Sequence, residues 1–122
     1  MNRVRSLNRH FHNLTKNSTI YALASGSGRA GVAVIRVSGP RVKETVQRLT
    51  RRRMLGEPRK LLTTRFYCPK ENVMLDKGML VWFEDVAEFH LHGSTSVVAD
   101  VCKSLSYVPD VVPAEPGEFT RR

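Results

Sequence analysis

The 122-residue chain has only two cysteines, Cys68 and Cys102, and no further pair. That scarcity excludes a disulfide-dense secreted scaffold and a zinc site made of cysteine alone. Long apolar runs are missing too: the longest, at 32–35 and 78–83, fall far below the ~18–20 residues that a membrane-spanning helix needs. No G-x-x-x-x-G-K-[ST] occurs, so the chain has no P-loop and no route to nucleotide hydrolysis through one. Aromatic residues make up 7% and are not interleaved with the basic ones as in a base-stacking platform. No acidic residue precedes Glu44.

What is present is 41% hydrophobic and 25% charged, enough for one modest core. The formal net charge of +9 is unevenly spread. Residues 1–70 carry 16 basic and 2 acidic side chains, whereas residues 71–118 carry 2 basic and 9 acidic ones. At the start, Arg3, Arg5, Arg9 and Lys16 alternate with Val4, Leu7, Phe11 and Leu14, which recur at helical spacing. A basic, acid-free, amphipathic opening is the pattern of a mitochondrial transit peptide, expected over 1–17. A basic tail or an RNA-binding arm is the other reading of the same residues.

Periodicity predicts strands over 18–25 and 31–37, the second nearly all apolar and so central. Ser38-Gly39-Pro40 signals a helix start, with proline at an early helical position and Val42, Val46 and Leu49 forming one apolar stripe. Strands follow over 61–68 and 75–83 around a polar turn at 70–72, then another over 86–92. Ser94 or Thr95 can cap a second helix whose Val97, Val98, Val101 and Leu105 share a face. Pro109 and Pro113 bracket a last extended segment. The expected fold class is α+β, a mainly antiparallel sheet with two helices on one face.

Gly26-Ser-Gly-Arg-Ala-Gly31 spells G-x-G-x-x-G, but a strand follows it rather than a helix, so it reads as a glycine loop with Arg29 exposed. The segment 86–92 is more informative. Strand alternation puts Ala87, Phe89 and Leu91 on one side and Glu88, His90 and His92 on the other. Those three titratable groups suit a ligand pocket, a metal-binding sheet face or a solvated polar face. Arg36 is the second anomaly, a guanidinium inside an apolar strand that needs a carboxylate, backbone carbonyls, a ligand or access to solvent. The basic run within residues 41–60 is a candidate RNA-binding module, or a solvated loop.

Four blocks occur in order: Thr19-Ile-Tyr-Ala-Leu-Ala-Ser, Gly28-Arg-Ala-Gly-Val-Ala-Val-Ile-Arg-Val-Ser-Gly39, Asp85-Val-Ala-Glu-Phe-His-Leu-His-Gly93 and Pro113-Ala-Glu-Pro-Gly-Glu-Phe-Thr-Arg-Arg122. Together, over 18–122, they resemble the N-terminal domain of the tRNA modification GTPase family MnmE (TrmE), and with the leader they resemble its mitochondrial members. The resemblance implies a tetrahydrofolate-binding, homodimer-forming domain that holds a 5-formyltetrahydrofolate-type one-carbon cofactor. The family's ligand-contacting arginine matches Arg36 and its ligand-contacting glutamate matches Glu88. No catalytic residue and no metal ligand is assigned to this chain. The resemblance further implies a place in the mitochondrial matrix, an MnmG-type FAD protein and tRNA as partners, and modification of C5 of the wobble uridine. GTP and a cation belong to a GTPase domain that these residues do not include.

Three departures accompany the resemblance. The family's eight or so loop residues between Phe83 and Glu84 are missing, and Glu84-Asp85 is poor chemistry for a two-residue hairpin. The flanking strands are therefore expected to fuse or pair badly, with Glu88 misplaced. Ser94 stands where the family has a second glycine. The chain also stops before a further folate-contacting lysine, so it is expected to be the first part of a longer protein.

Overall fold

A computed structural model describes residues 18–24 and 31–121, with backbone only for Thr120 and Arg121. The expected leader over 1–17 and most of the 26–31 glycine loop, Arg29 included, lie outside the described residues. Six strands form one sheet in the order β3-β4-β5-β2-β1-β6, where β1 is Thr19–Leu23, β2 Val32–Ser38, β3 Leu62–Tyr67, β4 Met74–Phe83, β5 Val86–His92 and β6 Val111–Pro113. Only β1 and β6 run parallel; the other neighbours are antiparallel. Helix α1, Val42–Thr50, follows β2, helix α2, Thr95–Leu105, follows β5, and a four-residue helix α3, Glu118–Arg121, ends the described chain. The fold is α+β as expected, and α3 is an addition to it.

Alternation decides which side of each strand is dry. Ala33, Ile35 and Val37 of β2 stand opposite Leu91, Phe89 and Ala87 of β5, and all six are buried. Val42, Val46 and Leu49 of α1 and Val101 and Leu105 of α2 close over them in the same core cluster, so both helices cover one face. Phe66 of β3 completes the layer, its ring centroid 5.0 Å from that of Phe89. Trp82 pins the long connection after α1, its indole N–H donating to the Leu55 carbonyl at 3.0 Å.

Pro40 lies one position before the N-cap, Arg41, and not inside the helix. A side-chain acceptor fixes this entry: Arg41 N donates to Thr19 Oγ1 at 2.8 Å. Gly39 has φ +143°, and a Cβ there would lie 2.6 Å from the Thr19 backbone, so the corner admits glycine alone. Ser94 caps α2, its hydroxyl accepting from Val97 N at 3.1 Å.

The expected failure of the 83–86 connection does not occur. Strands β4 and β5 pair in register from Phe83↔Val86 to Met79↔His90 across a two-residue turn. Glu84 makes this possible by adopting φ +54°, a left-handed conformation that costs a non-glycine residue roughly 1–2 kcal/mol. Five successive cross-strand pairs outweigh one strained residue.

Candidate functional site

The face of the sheet away from α1 and α2 gathers the two anomalies of the sequence. Arg36 in β2 and Glu88 in β5 are direct cross-strand partners and share that face. Arg36 donates from Nε at 3.1 Å and from Nη2 at 2.8 Å, both to Glu88 Oε2. His90 Nε2 lies 3.2 Å from the other carboxylate oxygen. Burial alone pushes the Glu88 carboxyl up, but the hydrogen bonds from Arg36 and His90 outweigh it and hold the group below its ordinary value. Glu88 therefore sits opposite Arg36 despite the short turn.

Beside this pair lies a cavity of about 480 Å³ lined by Arg36, Ser38, Pro40, Phe83, Glu88 and Phe119, among others. A second hollow of about 370 Å³ shares Arg36 and Phe119 and runs along residues 114–118. Two aromatic residues, the acidic residues Asp85 and Glu88 and the Arg36 guanidinium thus border one concave surface. Such a donor set suits a flat heteroaromatic ligand with paired N–H groups, because one carboxylate can accept two parallel hydrogen bonds. Phe83 and Phe119 escape sequence-level reading. Phe119 belongs to a segment too short for periodicity to speak, and it reaches the site because the chain after β6 turns back over the open face.

His92 does not join Glu88 and His90. It is mostly exposed, with Nδ1 2.8 Å from Asp76 Oδ1 and its backbone N–H donating to Oδ2 at 2.9 Å. Among the described residues no group of three or more His, Cys, Asp or Glu side chains is placed to hold a metal ion. In the 41–60 run, Arg41 pairs with Glu44 and Asp110, Arg48 with Glu44, and Lys60 with Glu57. Arg59 sits over the Phe83 ring at 5.3 Å. Three of the run's eight basic side chains are thus matched by carboxylates. Both cysteines are free thiols, and burial raises the pKa of Cys102.

The family described as GTP-binding protein TrmE N-terminus matches residues 19–122. The chain belongs to this family. Over 114 residues the TrmE N-terminal domain described here is 45% identical to the 5-taurinomethyluridine-[tRNA] synthase subunit GTPB3, mitochondrial, of Danio rerio, which covers 87% of the chain and 22% of the relative. A human protein with the same description is 42% identical over 113 residues, 86% of the chain and 23% of the relative. The tRNA modification GTPase MnmE of Parvibaculum lavamentivorans is 42% identical over 112 residues, 85% of the chain and 25% of the relative. The chain therefore spans about a quarter of the length of these curated relatives. No helix among the described residues is long and apolar enough to cross a membrane.

Proposed function

We propose that this TrmE N-terminal domain is the folate-binding and dimerisation module of a mitochondrial tRNA-modifying GTPase. The observation that carries the reading is the juxtaposition of Arg36 and Glu88 in one cavity walled by Phe83 and Phe119. A 5-formyltetrahydrofolate-type cofactor fits that chemistry: Glu88 accepts from the amino and ring N–H groups of the pterin, and Arg36 donates to ligand oxygens. The cofactor supplies a one-carbon unit when bound; the chain's own residues bind and orient it. Ligand entry must break or reshape the internal Arg36–Glu88 pair.

A second copy of the chain is the proposed occupant of the open face, where Val32 and Met79 remain exposed beside the pocket strands. The relatives' names support a mitochondrial, tRNA-modifying context; the family resemblance extends the proposal to C5 of the wobble uridine and to an MnmG-type FAD protein as partner. Matrix location rests on the leader expected over 1–17. GTP hydrolysis is not assigned to this chain.

Titration calorimetry with 5-formyltetrahydrofolate tests the central claim. Binding is expected to be saturable, and Glu88→Ala and Arg36→Ala are each expected to weaken it by about 1–3 kcal/mol, the worth of a charge-assisted hydrogen bond. A folded sample that releases no folate heat overturns the assignment. Sedimentation equilibrium tests the dimer: a monomer at all concentrations, with and without folate, removes it.

A further inference from the structure

The outer edge of the sheet carries an unmatched cationic hollow of about 260 Å³, far from the folate candidate in strand order. Its lining includes Arg52, Thr63, Thr64, Arg65, Tyr67 and Lys77, with no acidic residue. Arg65 and Lys77 face each other directly across β3 and β4. Like charges in that relation destabilise a sheet unless an anion lies between them. Just past α1, the Arg52 Nε is buried with no hydrogen-bond partner, an arrangement that costs free energy unless a ligand satisfies it. Arg51, at the left-handed end of α1, stacks its guanidinium 4.1 Å above the Tyr67 ring and so covers one face of it.

We infer that this hollow seats a backbone phosphate of RNA. Guanidinium and ammonium donors with threonine hydroxyls are the chemistry of phosphate recognition. Arg51 takes one face of Tyr67, the single ring that lines the hollow, so the site is built to read charge more than sequence. The inference does not rest on the folate assignment. It also narrows the basic RNA-binding reading of the 41–60 run to the end of α1, where Arg52 lines the hollow, and extends it to Arg65 and Lys77 beyond that run, since Arg41, Arg48 and Lys60 are paired internally.

The test compares two double variants of the full chain with equal net charge, binding labelled tRNA across a salt series. Arg65→Gln/Lys77→Gln removes exposed cations of the hollow; Lys43→Gln/Lys103→Gln removes exposed cations from the two helices. The first is expected to weaken binding by about tenfold or more near 0.1 M salt and to flatten the slope of log K against log salt by about 0.7–0.9, as for one lost phosphate contact. The second is expected to stay within about twofold of the parent. Equal losses in both overturn the inference, because binding then follows total charge. Unchanged tRNA affinity with a saturable shift of the Arg52 Nε–H resonance on adding inorganic phosphate also overturns it, since the hollow then takes free phosphate only. Self-association of the first variant with tRNA affinity unchanged overturns it as well, showing that the cations guard an open strand edge.

Discussion

Beneath the helices, Ile35 of β2 meets Phe89 of β5 with both side chains buried, while on the reverse of the same two strands Arg36 meets Glu88 in partial contact with solvent. One residue of chain separates the two environments. On the covered side, removal of apolar surface from water holds the strands to the helices. On the open side, the same backbone presents a half-exposed ion pair, which contributes little to stability because water screens it. The contrast teaches that the strands are secured from one face and are free to carry recognition chemistry on the other.

Breaking the covered face has the largest expected effect. Phe89→Ala should lower stability by about 3–5 kcal/mol in chemical denaturation, since a fully buried ring leaves a cavity against Phe66. On the open face, Glu88→Gln should cost at most about 1 kcal/mol of stability yet abolish most folate heat. A stability loss as large as that of Phe89→Ala would erase the distinction between the faces.

Acid titration sharpens the same comparison. The folded carboxyl of Glu88 lies below its ordinary value of 4.5, so its contribution to stability is fully present above that pH and is lost as the pH falls through the lower folded value. Denaturation midpoints of the parent should therefore decline in that acid window by more than those of Glu88→Gln, and matching profiles would contradict the assignment. The smallest effect is expected at the turn that joins the faces' two strands. Glu84→Gly relieves a left-handed residue and should raise stability by under about 1 kcal/mol; a loss on thermal melting would show that the Glu84 side chain contributes to the turn.

Much of this arrangement was legible from residues alone. Strand β5 was read over its observed span, because three apolar residues alternate with three titratable ones. Arg36 stands out as a charge inside an otherwise apolar strand, and Glu88 as one of three titratable groups on one face of β5. Their contact was beyond local pattern, since they lie 52 residues apart and meet only through the β2–β5 register. The hairpin at Glu84 forms against its turn chemistry because turn preferences describe a small local cost, which the register of two long strands can override. Pro40 falls outside α1 for a comparable tertiary reason: the Gly39 corner packs on Thr19 and delays the helix. Phe119 was hidden because α3 spans barely one turn.

The parallel pairing of β1 with β6 sets the order in which the molecule can be completed. Thr19 pairs with Val111 and Tyr21 with Pro113, so the first strand acquires its outer neighbour only from residues close to the end of the described chain. During vectorial synthesis β1 can join β2 early, but its other backbone edge stays open until residue 113 has left the ribosome. Such distant closure slows folding, and the waiting edge is a place where a nascent chain can pair with the wrong strand.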